Sequence, residues 1–278
     1  MIRLTLLIAA LLILTLVLLP LQLICMAFDL RLQRTIPHLY HRALCLLIGV
    51  RIRQVGERRG NGPVLILSNH VSWLDICVIS ALTPVVFIAK SEVARWPVFG
   101  WLSKLQRTIF IDRQARHRTG AATKEIGDRL LDGDAVVLFA EGTSSDGTRV
   151  LPFRSALIGA VHHALGASTQ HTAIAVQPMS VAYTGYRGLP IGREFRERVA
   201  WYGDADLMPH LLGILSAGAI DVTISWGDAV ATEMSADRKQ IARDAETAVR
   251  KMTAAARRGA AVPGPIDQPS AQPLPEPA

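Results

Sequence analysis

At 278 residues, half of them hydrophobic, the chain can bury one substantial core, or one core with a small appendage, which argues for a single catalytic domain. Its 30 Lys and Arg against 23 Asp and Glu leave a formal charge of +7, so an anionic partner is expected. Sparse aromatics and the lack of a recognition motif set nucleic acid aside, in favour of anionic lipid or an acidic carrier protein. Cys25, Cys45 and Cys77 form no CxxC pair, so neither a zinc site nor a disulfide framework is suggested and a reducing compartment fits.

No charged residue falls between Leu4 and Phe28, a stretch that as a helix would be roughly 37 Å long against a hydrocarbon core of about 30 Å. Pro20 and Gln22 interrupt its last third, so it either crosses the bilayer or enters as a kinked helix held at one side. A cleaved signal peptide fits poorly, because the apolar region is too long and no small-x-small site follows it. Arg31, Arg34, Arg42, Arg51, Arg53, Arg58 and Arg59 gather behind it. Such residues favour the cytoplasmic leaflet by about 1 kcal/mol each, and a merely solvated basic face is the alternative for any one of them. Thr35-Ile36-Pro37 opens a second helix, with Ile36, Leu39, Tyr40, Ala43, Leu44, Leu47 and Ile48 on one face and His38, His41 and Arg42 opposite. It would rest on the membrane surface, pack on the first helix, or belong to the core. Residues 1–49 are therefore expected to be a pair of membrane-anchoring helices at the inner (cytoplasmic) membrane, with the catalytic domain facing the cytoplasm.

From Val50 the pattern alternates. Strands are predicted at Val50–Val55, Val64–Ser68, Val85–Ala89, Thr108–Ile111, Ala135–Phe139, Ala173–Ala182 and Val222–Trp226. Helices are predicted at Trp73–Leu82, Val98–Leu105, Ala121–Leu131, Arg154–Leu165, Met208–Ala217 and Ala236–Ala256. This alternation predicts an α/β catalytic domain over 50–258, a mixed, largely parallel sheet flanked by helices. Strand order is not legible. Residues 259–278, rich in Gly, Pro, Ala and Gln, read as a disordered tail.

The chain's organising stretch is Ser68-Asn69-His70-Val71-Ser72-Trp73-Leu74-Asp75, where the apolar run Val64–Leu67 stops and a helical run begins. Histidine, with an unperturbed pKa of roughly 6.5, serves as a base when a carboxylate fixes its tautomer. Residues five apart in one helix point about 140° away from each other, so Asp75 can reach His70 only if the histidine precedes the helix and the chain curls back. Otherwise His70 is a surface turn residue and Asp75 a charge favoured by the helix dipole. Three further strand ends carry polar clusters: Lys90-Ser91-Glu92, followed by Trp96 to Trp101; Asp112-Arg113; and Glu141-Gly142-Thr143-Ser144-Ser145-Asp146-Gly147. A base, cations and a glycine-containing loop at one sheet edge suit acyl transfer to a hydroxyl. A nucleophilic-serine hydrolase is disfavoured by the lack of a GxSxG elbow, and nucleotide chemistry by the lack of a P-loop or GxGxxG. His162-His163 read as helix-surface residues rather than metal ligands.

Taken together, His70-x-x-x-x-Asp75, Phe110-Ile111-Asp112-Arg113, Phe139-x-Glu141-Gly142-Thr143 and Val176-Gln177-Pro178-Met179 resemble, in order, the blocks of the glycerolipid acyltransferase family, which includes the bacterial lysophosphatidic acid acyltransferases. The resemblance covers roughly Val50 to Trp226. It implies that His70 is the base activating an acceptor hydroxyl for attack on an acyl thioester and that Asp75 orients it. It implies that Arg113, Glu141, Gly142 and Thr143 bind the acceptor with Lys90 assisting, and that Trp96 to Leu102 line the acyl-chain path. It implies no metal, no cofactor and no covalent enzyme intermediate. The sequence departs from the family pattern where Ala140 replaces a proline, Ser144 an arginine and Met179 a proline. The missing arginine at Ser144 weakens the case for a phosphate on the acceptor. The run Glu141 to Gly147, the segment Leu151-Pro152-Phe153-Arg154-Ser155 and the leucine-rich start look more like the lyso-ornithine lipid acyltransferases. These use acyl carrier protein as donor, and acyl-CoA is the other donor of the wider family. Lyso-ornithine lipid is the expected acceptor and lysophosphatidate the alternative, since Arg113 and Lys90 remain available for a phosphate.

Overall fold

Four apolar residues in a row, Val64 to Leu67, alternate between the two faces of a strand, so both faces need cover. The computed structural model, which describes residues 2–60, 62–112, 119–168 and 172–259, supplies that cover from nine helices among the described residues. In chain order these residues form α1 (Ile2–Ala27), α2 (Ile36–Ile48), β1 (Val50–Val55), β2 (Val64–Ser68), α3 (Leu74–Leu82) and β3 (Val86–Lys90). There follow α4 (Phe99–Leu105), β4 (Ile109–Ile111), α5 (Thr119–Leu131), β5 (Ala135–Phe139), α6 (Gly159–Ala167) and β6 (Ile174–Tyr186). The chain continues through β7 (Leu189–Pro190), α7 (Arg193–Arg196), α8 (Leu207–Ala217), β8 (Ile220–Trp226), β9 (Val230–Thr232) and α9 (Arg238–Arg257). Residues 260–278, read as tail, and Arg113 lie outside the described residues.

The strands run in the order β1-β8-β6-β2-β5-β3-β4, with β7 and β9 also bonded to β6. Neighbours from β6 to β4 pair in parallel, so β6, β2, β5, β3 and β4 share one direction. β8 is antiparallel to β6 and β1 parallel to β8, which completes the mixed, largely parallel sheet expected. The alternation in β2 sorts the core: Val64 and Ile66 join residues of α2, α3 and α8 on one face. Leu65 and Leu67 join Ile126 of α5, Val161 of α6 and Val249 of α9 on the other. Pro178 in the middle of β6 has no N–H to give the ladder, and there the partner strand breaks into β8 and β9. Gln177 bridges the break, its Nε2 donating to the carbonyls of Glu57 and Gly227, each at 2.9 Å, while its Oε1 accepts from Arg59 N.

Two helices differ from expectation. The helix predicted at Arg154–Leu165 begins only at Gly159, after a tight 3-10 turn, because Arg154 N is drawn to Ala140 O at 2.8 Å and keeps the preceding segment extended. In α2 the buried positions are Ile36, Pro37, Cys45 and Ile48, while Leu39, Leu46 and Leu47 face outward. His38 and His41, expected opposite the core, are half-buried and bonded to Ser80 O and Pro37 O. With leucines all round the helix, periodicity could not choose the inner face; the His38 bond to Ser80 of α3 ties its rotation, while the His41 bond stays within the helix.

Helix α1 is long and apolar enough to cross a membrane, and within it only Leu7, Gln22 and Cys25 are buried. It is tied to the domain near both ends. Arg3 donates to Ser216 O and Ile48 O at 3.3 and 3.2 Å, and Gln22 Nε2 donates to Gln33 O and Leu105 O at 3.1 and 2.8 Å.

Candidate active site

The curl that brings His70 and Asp75 together is built by side chains standing in for backbone pairing. As β2 ends, Asn69 exchanges two hydrogen bonds of 2.9 Å with the backbone of Val181, pinning the turn to β6. Asp75, in the first turn of α3 and fully buried, then reaches back. Its Oδ2 accepts from His70 Nδ1 at 2.8 Å, Val71 N at 2.7 Å and Ser72 N at 3.0 Å. Its Oδ1 accepts from the Tyr183 hydroxyl at 2.7 Å. A carboxylate with four donors is held in place, and as an acceptor it keeps the His70 proton on Nδ1. Nε2 is left with its lone pair and no partner among the described residues.

The imidazole lies flat against Phe139 at the end of β5, with ring centroids 3.9 Å apart and planes 15° apart, and Phe139 stacks on Phe87 of β3. Three strands therefore fix the plane of one ring. The His70 side chain stays 17% exposed, open to a substrate. Its carbonyl accepts from Ser145 N at 2.9 Å, which joins the turn to the loop after β5.

The sequence-predicted residues fall differently around this pair. Lys90 is exposed at the end of β3, two strands from β2 and so roughly 10 Å to the side. Its register partner is Ile111, two residues short of Arg113, which lies outside the described residues. Glu141 is almost fully buried, and its carboxylate faces inward, accepting from Leu151 N at 3.0 Å and from His70 N at 3.4 Å. Burial pushes its carboxyl up to about 8, against the pull of those two amides. Glu141 thus braces the His70 turn against the loop rather than facing open space. Gly142 adopts φ +75°, and a Cβ there would lie 3.1 Å from Arg154 Cδ and Nε. Thr143 is exposed on the same loop. Tyr183 was missed by sequence reasoning, because a tyrosine in a strand of buried residues reads as core.

Between α1 and the Trp96–Leu102 segment lies a cleft of about 490 Å³, lined by Thr15, Leu19, Trp96, Val98 and Trp101 among others. No residue of the His70 turn lines it. The two are linked by a wall: Trp96 meets Trp201 edge to face at 6.0 Å, and Trp201 N donates to Val71 O at 2.9 Å. Among the described residues no three of His, Cys, Asp and Glu stand close enough to share a metal ion.

A family model described as acyltransferase matches residues 49–182. The lyso-ornithine lipid O-acyltransferase of Brucella abortus (strain 2308) is 48% identical over 94% of this chain and 98% of its own length. That of Rhizobium meliloti (strain 1021) is 44% identical over 88% and 84%. The 1-acyl-sn-glycerol-3-phosphate acyltransferase of Neisseria gonorrhoeae is 30% identical over 74% and 75%. Among solved structures, the 1-acyl-sn-glycerophosphate acyltransferase of Thermotoga maritima superposes with a TM-score of 0.57 over 79% of this chain and 78% of that one; at 18% identity this speaks to the fold alone.

Proposed function

The chain belongs to the acyltransferase family and is an acyltransferase, and from that premise we propose that it moves a fatty acyl chain from acyl carrier protein to the hydroxyl of lyso-ornithine lipid, giving ornithine lipid. The observation that carries the reading is the His70–Asp75 pair, with Nε2 unpartnered among the described residues where strands of one direction end. His70 Nε2 takes the proton of the acceptor's 3-hydroxyl as its oxygen attacks the thioester carbonyl. The tetrahedral intermediate collapses, the C–S bond breaks, and the departing sulfur receives that proton from the imidazolium. Asp75 stabilises the imidazolium through Nδ1, and Tyr183 and the Val71 and Ser72 amides hold Asp75. Arg113, Gly142 and Thr143 serve the acceptor with Lys90 assisting, and Glu141 keeps the loop against the turn.

An acidic donor such as acyl carrier protein is suited by the surplus of +7 and by the exposed Arg51 and Arg53 on edge strand β1. Residues 1–49 anchor the catalytic domain, 50–258, to the cytoplasmic face of the inner membrane. The ties at Arg3 and Gln22, roughly 28 Å apart along the helix, support an α1 that lies against the domain with its outer side in one leaflet.

The test supplies purified protein with labelled acyl carrier protein and, separately, lyso-ornithine lipid and lysophosphatidate. Product from lyso-ornithine lipid is expected, lost by at least about 10²-fold in His70→Ala. Product from lysophosphatidate alone would reverse the acceptor, and a wild-type rate in His70→Ala would end the assignment of the base.

A further inference from the structure

Beside the His70 turn, two arginines from outside the family-matched segment converge on one backbone corner. Gly147 turns the chain at φ +70°, and a Cβ built there would lie 3.0 Å from Val71 Cγ1 and 3.4 Å from both Cγ and Cδ of Arg196. The bare corner therefore lies between the residue that follows the base and the stem of Arg196, which α7 carries. From the last turn of α9, Arg257 donates to the carbonyls of Gly147, through Nη2, and of Thr148, through Nη1 at 2.8 Å. The two cations sense each other: burial first and then the Arg196 charge push Arg257 down to about 10. Asp146 sits beside them, its carboxylate engaged by Thr148 N at 2.8 Å and Thr148 Oγ1 at 2.6 Å, bonds that hold it below the usual carboxylate range.

Neither arginine is fully satisfied. The Nε atoms of Arg196 and Arg257 are both buried without an acceptor. Among the described residues the Arg196 side chain makes no hydrogen bond or ion pair. Half-buried guanidiniums with open donors gain most from an oxyanion that takes several N–H bonds at once. Both lie beyond residue 182, where the family match ends. Ser144, on the same loop, stands where the family has its arginine.

We propose that Arg196 and Arg257 seat the carboxylate of the ornithine head group, with Asp146 receiving its side-chain ammonium. The proposal rests on lyso-ornithine lipid being the acceptor. In that lipid the reacting hydroxyl and the carboxylate are separated by about six bonds, roughly 7 Å when extended. The amide link would run past the buried contact of Val71 with Gly147, leaving the hydroxyl at His70 and the carboxylate at Arg196. A phosphate would also be drawn to the two guanidiniums, but a phosphomonoester brings no cation for Asp146 and meets its negative charge instead.

The experiment compares wild type, Arg196→Gln, Arg196→Lys and Asp146→Asn on lyso-ornithine lipid and on its carboxyl methyl ester, titrating acyl carrier protein separately. Arg196→Gln is expected to raise KM for lyso-ornithine lipid about tenfold or more while leaving KM for the donor unchanged, and Arg196→Lys to recover part of the loss. The methyl ester should penalise wild type by a similar factor and add little in Arg196→Gln. Asp146→Asn should raise KM for lyso-ornithine lipid and narrow its advantage over lysophosphatidate. If Arg196→Gln raises KM for the donor instead, the corner takes the donor's phosphopantetheine phosphate and the proposal falls. Unchanged constants for both substrates also overturn it. A wild type that acylates lysophosphatidate but not lyso-ornithine lipid would overturn the functional reading itself, whatever the arginines do.

Discussion

Both oxygens of Asp75 are filled by donors from within the protein, whereas along α1 Leu6, Leu12, Leu16 and Val17 face outward with little protein over them. The first region is complete as folded, and its hydrogen bonds determine where one nitrogen points. The second leaves an apolar surface that water would disfavour and hydrocarbon would not. Changes in the first should therefore alter chemistry, and changes in the second should alter where the chemistry happens.

The sharpest probe of that division is Tyr183→Phe, which removes one of the four donors to Asp75 and nothing else. The carboxylate then holds the imidazolium more tightly, so the acid limb of kcat/KM should move to higher pH by up to about one unit, with an approximately tenfold loss at mildly acidic pH. A pH–rate profile reads this directly. A lower rate with an unmoved limb would reduce Tyr183 to packing.

Glu141 offers a second probe, through stability. Its carboxyl titrates near 4.5 ordinarily but at about 8 when folded, so the folded state binds the proton more tightly. Stability is therefore full below the ordinary range and is lost as pH rises through about 8. Urea midpoints of the wild type should fall across that window by the equivalent of a few kcal/mol, on the order expected for a buried carboxyl. Those of Glu141→Gln should stay nearly level. A wild-type midpoint that does not fall would mean that the two amides outweigh burial.

The smallest effect on chemistry is expected in α1. Leu16→Glu should shift the protein from the membrane fraction to the supernatant, since a charge in hydrocarbon costs about 2.5–3.5 kcal/mol. Turnover of detergent-dispersed acceptor should change by less than about twofold. An equal loss of turnover in detergent would break the comparison, by making α1 part of the site.

The sheet was legible where burial on both faces writes an uninterrupted apolar run, as in β2 and β5, and where apolar and polar residues alternate, as at the start of edge strand β1; all three fall at Val64–Ser68, Ala135–Phe139 and Val50–Val55 as predicted. β6 runs on to Tyr186, four residues past the expected end, because β8 pairs with it that far. β7, α7 and β9 escaped notice, being two to four residues long with no period to detect. The break between His70 and Asp75 allowed them to meet, and the family resemblance rather than their spacing chose that reading. What Asp75 does with its second oxygen was not, since Tyr183 is 108 residues away and is brought there by strand pairing. Nor could the inward turn of Glu141 be seen, because it depends on Leu151 N across a loop with no regular pattern.

With α1 fastened to the catalytic domain at Arg3 and again at Gln22, a protein anchored through α1 as proposed would have little freedom to tilt away from the membrane. In the proposed arrangement the reaction centre keeps a constant height over the head groups, and an acceptor arrives by lateral diffusion without leaving its leaflet. Turnover would then follow the mole fraction of single-chain lipid in the surface, and diluting it with inert phospholipid would slow the enzyme even at a fixed bulk concentration.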